Sequence, residues 1–199
     1  VLLIGYSKIA KKRILNFFIN KKYIISVATI SNKKKIKKIY KQYTSYNEAL
    51  KRSDADIVYI SLPNSLHYKW AHKALSLGYH VIVDKPLCNS INEVNKLIKL
   101  AFNKNRLLSE ATFFNYHDQF KKLVNLINDD KKINKIDCNF TIPKPLKNSI
   151  LSSTKLNGGV LMDMGPYAAA IARIFLNEKI LSYKVFLKKD KNGLTTSLK

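Results

Sequence analysis

The chain has 199 residues, and 46% of them are hydrophobic, which is enough for a packed core and excludes a disordered protein. Its 36 basic and 13 acidic residues give a formal net charge of +23, which by itself favours an anionic ligand, a nucleic acid or an anionic surface. However, 32 of the 36 basic residues are lysines, spread from Lys8 to Lys199, whereas nucleic-acid-binding proteins tend to cluster basic residues on one face. We therefore expect a small-molecule ligand and no nucleic-acid partner.

Cysteine content and hydropathy bear on the cellular compartment. Cys88 and Cys138 form neither a spaced metal-binding set nor a disulfide framework, so we expect no metal and a reducing compartment. No apolar run approaches the roughly 20 residues that span a bilayer, and the first residues, VLLIG, are too short for a signal-peptide core. These features predict a cytoplasmic protein without a membrane partner.

Short β-branched runs alternate with amphipathic stretches over the first half of the chain, the pattern that produces βαβ units. In chain order, we predict strands at 1–5, 23–30, 56–62, 80–87 and 107–114. Helices are predicted between them at 9–19, 34–42, 47–51, 65–77 and 90–101, the last with the capping box Ser90-Ile-Asn-Glu93 at its start. Five parallel strands with helical crossovers predict an α/β fold, with a doubly wound Rossmann domain over residues 1–111.

The pattern changes near residue 111. A helix is predicted at 118–128, and apolar residues then alternate with polar ones over 136–142 and 181–187, which is typical of antiparallel strands with one solvent-exposed face. Pro166 lacks a backbone N–H, which predicts a kink or break in its helix. We therefore predict a second α+β domain over residues 112–199, built on a mostly antiparallel sheet. Because two strands leave that sheet incomplete and the chain begins at Val1, we expect a fragment or a product shortened at its C-terminal end.

The first strand-to-helix turn reads Gly5-Tyr-Ser-Lys-Ile-Ala10, a variant of the glycine fingerprint for dinucleotides in which serine replaces one glycine. The middle glycine normally lets the backbone approach a pyrophosphate at the helix N-terminus, and serine is its mildest substitute because the side chain is small. Gly5, Ser7, Lys8 and Ile9 are therefore candidate cofactor contacts. An ordinary strand-to-helix turn is the alternative interpretation.

The end of the second strand bears on which dinucleotide binds. An NAD site usually supplies a carboxylate there for the ribose hydroxyls, whereas this chain has Ser31, Asn32 and Lys33. Small donors followed by lysines suit a 2′-phosphate, so these residues favour NADP, with NAD still possible. A solvated helix start is the alternative.

The stretch from Asp54 to Leu87, "DADIVYISLPNSLHYKWAHKALSLGYHVIVDKPL", resembles the Gfo/Idh/MocA family of oxidoreductases. In that family one strand ends in Pro-Asn and the next ends in Glu-Lys-Pro, and here the first residue of the second motif is Asp84. The resemblance implies a catalytic role for Lys85. It also implies cofactor contacts at Leu62, Pro63, Asn64, His67, Asp84 and Lys85. For His67, an interface or surface role is the alternative.

A second match lies downstream, where Gly158-Gly-Val-Leu-Met-Asp-Met-Gly-Pro-Tyr167 resembles the family segment that ends in histidine or tyrosine. The segment from Glu110 to His117 is also similar to the family's interdomain segment. Asp163 and Tyr167 are four residues apart and so share one helical face. The resemblance implies that Tyr167 is the base, that Lys85 activates it, since an ammonium beside a phenol favours phenolate, and that Asp163 orients the substrate.

The resemblance implies an NAD(P)-dependent dehydrogenase or reductase acting on the carbinol or ketone of a sugar, nucleotide sugar or cyclitol, and a homo-oligomer if the chain is full length. Two alternatives stay open. The first alternative is a truncated or inactive dinucleotide-binding relative, because Ser7 replaces a glycine and the second sheet is incomplete. The second alternative is a basic protein that binds nucleic acid or an anionic surface.

Overall fold

The computed structural model describes residues 1–31, 34–128, 135–143, 145–146, 149–176 and 182–199. The chain divides into two compact units, Val1–Ala111 and Thr112–Lys199. Each unit has its own secondary structure.

The first unit is a six-stranded parallel sheet with helices. Its strands are β1 (Leu2–Ile4), β2 (Ser26–Ala28), β3 (Lys41–Tyr43), β4 (Ile57–Ile60), β5 (His80–Asp84) and β6 (Leu108–Ala111). Its helices are α1 (Leu15–Asn20), which continues a π-helical turn at Ala10–Ile14, α2 (Tyr46–Arg52), α3 (His67–Ser76), which follows a 3₁₀ turn at Asn64–Leu66, and α4 (Ile91–Asn103). This architecture confirms the predicted doubly wound α/β fold.

The strand order is β3-β2-β1-β4-β5-β6, and every pair is parallel. The chain therefore builds outward from β1 in one direction and from β4 in the other, which makes the β1–β4 pair a topological switch point, where ligands of such folds bind at the carboxyl ends of the strands. Successive β1 residues serve opposite faces: Leu2 and Ile4 belong to one buried cluster and Leu3 to another. The sheet is thus covered on both faces.

One predicted element of the first unit is wrong. The basic segment predicted as a helix at 34–42 instead leads into the edge strand β3, which pairs with β2. Lys38 has a left-handed φ of 63°, which a continuous helix excludes. The Gln42 side chain also accepts from the Ile36 N–H at 2.9 Å and donates to the Lys34 carbonyl at 3.1 Å, so it holds a loop in place of the expected helix.

The second unit contains the helices α5 (Asp118–Asn128) and α6 (Val160–Leu176) and the antiparallel hairpin of β7 (Leu187–Lys189) and β8 (Thr195–Leu198). The strand predicted at 136–142 is wrong, because residues 135–143 have no strand. Of the strand predicted at 181–187, residue 181 lies outside the described residues, 182–186 are not in a strand and β7 begins only at Leu187.

The expected helix break at Pro166 does not occur, because α6 runs through it. A residue before proline is normally pushed out of the helical region, because the proline Cδ clashes with the Cβ of that residue. That residue here is Gly165, which has no Cβ and thus avoids the clash.

Candidate cofactor and active site

The turn after β1 brings two backbones into close approach at the switch point. Gly5 has a φ of +94°, and its N–H donates to the Ala28 carbonyl at 2.9 Å. A Cβ at this position would collide with the carbonyl oxygen of Ser61, which follows β4. Only glycine combines this φ with this approach, so the turn has the compact form that a dinucleotide fingerprint requires.

Ser7 is engaged by the protein on both sides of its hydroxyl. Its Oγ accepts from the Ala10 N–H at 3.0 Å, and its carbonyl accepts from the Lys11 N–H at 2.9 Å, so Ser7 caps the first helical turn. Ser7 Oγ also lies 2.7 Å from Ser61 Oγ. The next two predicted contacts, Lys8 and Ile9, are exposed beside it.

Asp84 ends β5 and receives two short hydrogen bonds. The Tyr59 hydroxyl donates to Oδ1 and the Ser61 hydroxyl donates to Oδ2, each at 2.6 Å. Burial is the main cause that raises the pKa of Tyr59 above its ordinary value, and the adjacent Asp84 carboxylate raises it further. The phenol therefore stays protonated and remains a donor. Since Ser61 gives its proton to Asp84, the Ser7 hydroxyl is the donor to Ser61, and the three residues form one directed chain.

The loop after β5, which carries Lys85, is held by bonds from the neighbouring strand ends. Lys85 is half-buried. The Leu87 N–H donates to the Glu110 carboxylate at 2.8 Å, and the Asn89 side-chain amide donates to the Asn64 carbonyl at 3.1 Å. Glu110 comes from β6 and Asn64 from the turn after β4, so both neighbouring segments hold the loop just after Lys85.

The His67 ring lies between the segments that follow β4 and β5. It is fully buried, with Nδ1 2.7 Å from the Pro86 carbonyl and Nε2 2.8 Å from the Leu62 carbonyl. Leu62 and Pro63, which are predicted cofactor contacts, are partly exposed. Both ring nitrogens thus face protein carbonyls, which gives His67 a bracing position at the site; its predicted contact with a cofactor stays a prediction.

The segment predicted to select the cofactor is described only in part. Ser31 is exposed after β2, while Asn32 and Lys33 lie outside the described residues. Lys34 and Lys35 are also exposed. The preference for NADP therefore stays a prediction from the sequence.

In the second unit, Asp163 and Tyr167 lie on α6 and are both half-buried. The Tyr167 ring packs against Phe114 and Phe140, with centroids 5.6 and 5.8 Å away. Tyr167 therefore lies at the edge of an aromatic cluster rather than within a sealed core. The convergence of Tyr167 with Lys85 stays a prediction.

Sequence reasoning missed four side chains that hold the site: Tyr59, Ser61, Asn89 and Glu110. Ser61 could have been found, because it directly follows an apolar strand at the carboxyl ends of the strands, where ligand sites of parallel sheets form, and Glu110 lies one residue before the end of β6 at the same ends. Tyr59 and Asn89 carry no such signal, because only the fold brings them to Asp84 and Asn64.

Two kinds of feature are absent from the described residues. Within them, no group of three or more histidine, cysteine or acidic residues has the geometry to hold a metal ion. No helix in the same ranges is long and apolar enough to cross a bilayer.

Comparison with protein families agrees with this geometry. The model of an oxidoreductase family with an NAD-binding Rossmann fold, Gfo/Idh/MocA, matches residues 1–112. The match covers the glycine turn, the switch point and the Lys85 loop. The chain therefore belongs to the Gfo/Idh/MocA oxidoreductase family.

Individual relatives span both units. A dTDP-3,4-didehydro-2,6-dideoxy-alpha-D-glucose 3-reductase from Saccharopolyspora spinosa is 35% identical over 133 residues, which are 66% of this chain and 40% of the relative. A D-xylose 1-dehydrogenase (NADP(+)) from Haloferax volcanii is 32% identical over 67% of this chain and 42% of the relative. The chain thus matches less than half of the length of these curated relatives.

A solved structure is similar over nearly the whole chain. It is a tyrosine-to-phenylalanine variant of a 3-ketoreductase from Actinomadura kijaniata, in complex with TDP-benzene and NADP. Its TM-score is 0.85 at 25% identity, and the match covers 98% of this chain and 62% of the other.

Proposed function

We propose that this chain binds NADP(H) and is part of an oxidoreductase that interconverts a carbinol and a ketone on a sugar or nucleotide sugar. The observation that carries the proposal is the switch point itself. There the Gly5 turn touches the backbone of Ser61, and Lys85 follows directly after the adjoining strand end. This is where dinucleotides bind in doubly wound sheets.

The described residues fit a dinucleotide. The space that a Cβ would fill at Gly5 is closed by the Ser61 carbonyl, so the turn is compact beneath the pyrophosphate position. The Asn89 side-chain oxygen is buried and has no hydrogen-bond partner within the described ranges, which leaves an acceptor for a donor group of a ligand near Asn64. Gly5, Ser7, Pro63, Asn64 and Lys85 would hold the cofactor.

The bound nicotinamide would supply or accept the hydride, and the protein would handle the proton. The bonds at Asp84, Leu87 and Asn89 fix the backbone around Lys85, so its ammonium would hydrogen-bond the substrate oxygen in one orientation. Tyr167 would take or return the hydroxyl proton, and Asp163 would orient the sugar through other hydroxyls. These two roles rest on the family resemblance.

The first test is a fluorescence titration of NADPH with the purified chain. The proposed function requires saturable binding, and a wild-type chain that binds neither reduced cofactor overturns it. Titrating NADH at the same ionic strength tests the cofactor preference. We expect NADPH to bind roughly tenfold more tightly, because no carboxylate repels the 2′-phosphate and lysines follow Ser31; equal or tighter NADH binding would contradict this preference.

Turnover tests the catalytic roles. With dTDP-sugar and aldose substrates, Lys85→Ala and Tyr167→Phe should each lower turnover by about two orders of magnitude while NADPH affinity stays within about threefold. Lys69→Ala is the matched control, because Lys69 is an exposed lysine of α3. Binding of NADPH without turnover on any of these substrates would identify the inactive relative that the sequence left open.

We also propose a cytoplasmic location and a homo-oligomeric assembly for the whole protein. The two cysteines are free thiols, which fits the proposed cytoplasmic location. A homo-oligomer of the whole protein is likewise proposed, and size-exclusion chromatography with light scattering tests it.

A further inference from the structure

Ser7 occupies the position where the dinucleotide fingerprint usually has its second glycine. Glycine is preferred there because the backbone must approach the pyrophosphate. A serine at this point would obstruct the ligand if its side chain pointed outward. In this structure the hydroxyl is instead bonded inward, to the Ala10 N–H and to Ser61.

The hydrogen bonds of Ser7 belong to a longer chain. Ala10 N–H donates to Ser7 Oγ, Ser7 donates to Ser61, and Ser61 donates to Asp84. The heavy-atom distances are 3.0, 2.7 and 2.6 Å. Ser61 is only 2% exposed, so the central link is shielded from water and its loss leaves a buried hydroxyl without its donor.

The two ends of this chain lie on different parts of the proposed site. Ala10 begins the helix whose first turn faces the pyrophosphate position, and Asp84 precedes Lys85 in the sequence. Asp84 is further fixed by the Tyr59 hydroxyl. A rigid carboxylate therefore anchors a serine hydroxyl that in turn anchors the cofactor turn.

We propose that Ser7 is a positioning residue for the dinucleotide: through Ser61, its hydroxyl ties the pyrophosphate turn to Asp84 and so to the loop of Lys85. This inference rests on the proposed binding of NADP(H) and deepens it. In this chain the serine hydroxyl helps to order the turn, whereas the fingerprint alone predicts that serine binds the dinucleotide less well than glycine.

The two views of Ser7 predict opposite signs for one substitution. If the position only needs a small residue, Ser7→Gly should bind NADPH as tightly as the wild type or more tightly. If the hydroxyl orders the turn, Ser7→Gly should weaken binding about five- to tenfold, the scale of one or two lost hydrogen bonds. Ser61→Ala should weaken it similarly, and the double variant should bind no more weakly than either single variant, because both changes cut the same chain.

Ser53→Ala is the matched control. The Ser53 hydroxyl also accepts a hydrogen bond from a backbone N–H, that of Ala55, at 3.3 Å. Ser53 precedes β4, however, and so lies toward the amino-terminal ends of the strands, away from the proposed site. It should leave NADPH affinity unchanged. Thermal unfolding of every variant, measured without cofactor, shows whether each protein is folded before its affinity is compared.

Hydrogen exchange gives a readout that needs no cofactor. Ser61→Ala leaves the Ala10 bond in place but removes the partner that fixes the Ser7 hydroxyl, so amides at 8–11 should exchange faster than in the wild type and in Ser53→Ala. Unchanged exchange in Ser61→Ala, NADPH binding by Ser7→Gly that equals or exceeds that of the wild type, or additive losses in the double variant would each overturn the proposal. A wild-type chain that binds no NADPH would instead overturn the proposed function.

Discussion

The hydrogen bond from Tyr59 to Asp84 offers the sharpest test of how the site is held together. Tyr59 is 3% exposed and its hydroxyl lies 2.6 Å from Asp84 Oδ1. Tyr59→Phe removes one oxygen and keeps the ring, so packing is nearly unchanged. A hydrogen bond to a charged group contributes about 1.5–3 kcal/mol, and Asp84 keeps its second donor, Ser61. We therefore expect the free energy of unfolding to fall by about 2 kcal/mol.

Tyr43→Phe is the matched control for this substitution. Tyr43 is equally buried, at 3% exposed, but its hydroxyl donates to the Arg52 carbonyl at 3.2 Å, a neutral and more distant acceptor. Its loss should cost about 1 kcal/mol. Urea unfolding of both variants at pH 7 measures the difference. Equal losses in the two variants would refute the argument that the Asp84 charge strengthens the Tyr59 bond.

The pH dependence of stability gives an independent check on Tyr59. Its pKa is raised in the folded chain above the ordinary value of 10.0, chiefly by burial. Below that ordinary value both the folded and unfolded chains keep the proton, and the stabilisation is fully present. As the pH rises above it, the unfolded chain ionises first, so folding becomes less favourable. Between pH 9 and about 11 the wild type should lose stability more steeply than Tyr59→Phe; parallel profiles would contradict the assignment.

Three further outcomes follow from the same structure. Gly5→Ala should lower the free energy of unfolding by more than about 2 kcal/mol, measured in urea, because it combines a φ of +94° with a collision at the Ser61 carbonyl. His67→Ala should cost about 3 kcal/mol, since it empties a fully buried site and removes the ring nitrogens beside the Pro86 and Leu62 carbonyls, whereas His72→Ala on the exposed face of the same helix should cost little. Burial raises the pKa of Cys88 to about 12, so a thiol reagent at pH 8 should label exposed Cys138 quickly and Cys88 only on unfolding.

Local chemistry explains which parts of the fold were predictable from sequence. The buried strands of the first unit were found because apolar runs and helical periodicity repeat clearly there. The serine cap at Ser90 was found because it depends on residues three positions apart, and its Oγ does accept the Glu93 N–H at 3.3 Å. Strand β3 was missed because it is a short edge strand that follows a run of lysines and begins with Lys41, and its identity depends on pairing with β2, which no local pattern records.

In the second unit, a strand was predicted where the structure has none. Alternating residues at 136–142 predicted a strand, but alternation makes a strand only when another strand is available to pair with it. Phe140 instead packs its ring against Tyr167. The hairpin of β7 and β8 forms because Asp190 Oδ1 accepts the N–H groups of Asn192 and Leu194 and fixes the turn between the strands.

Of the site, the sequence predicted the positions of Gly5, Ser7, Asp84 and Lys85 at the ends of their strands. It did not predict what fixes them, because the partners come from other strands and are set by the register of the sheet. Ile60 pairs with Val83, so Tyr59 and Ser61 stand beside the end of β5, where Asp84 lies. That register makes one residue of β4 and the residue just after it the two donors to one carboxylate.

Ser7 and Asp84 both differ from the residues of the family pattern that the sequence resembles, and one chain of hydrogen bonds connects them. Serine replaces glycine at position 7, and aspartate replaces glutamate at position 84. The shorter carboxylate of Asp84 receives the Ser61 hydroxyl, and Ser61 in turn receives the Ser7 hydroxyl. One buried hydroxyl, that of Ser61, therefore bonds to both residues, so a change at either position alters the hydrogen bonding available to the other.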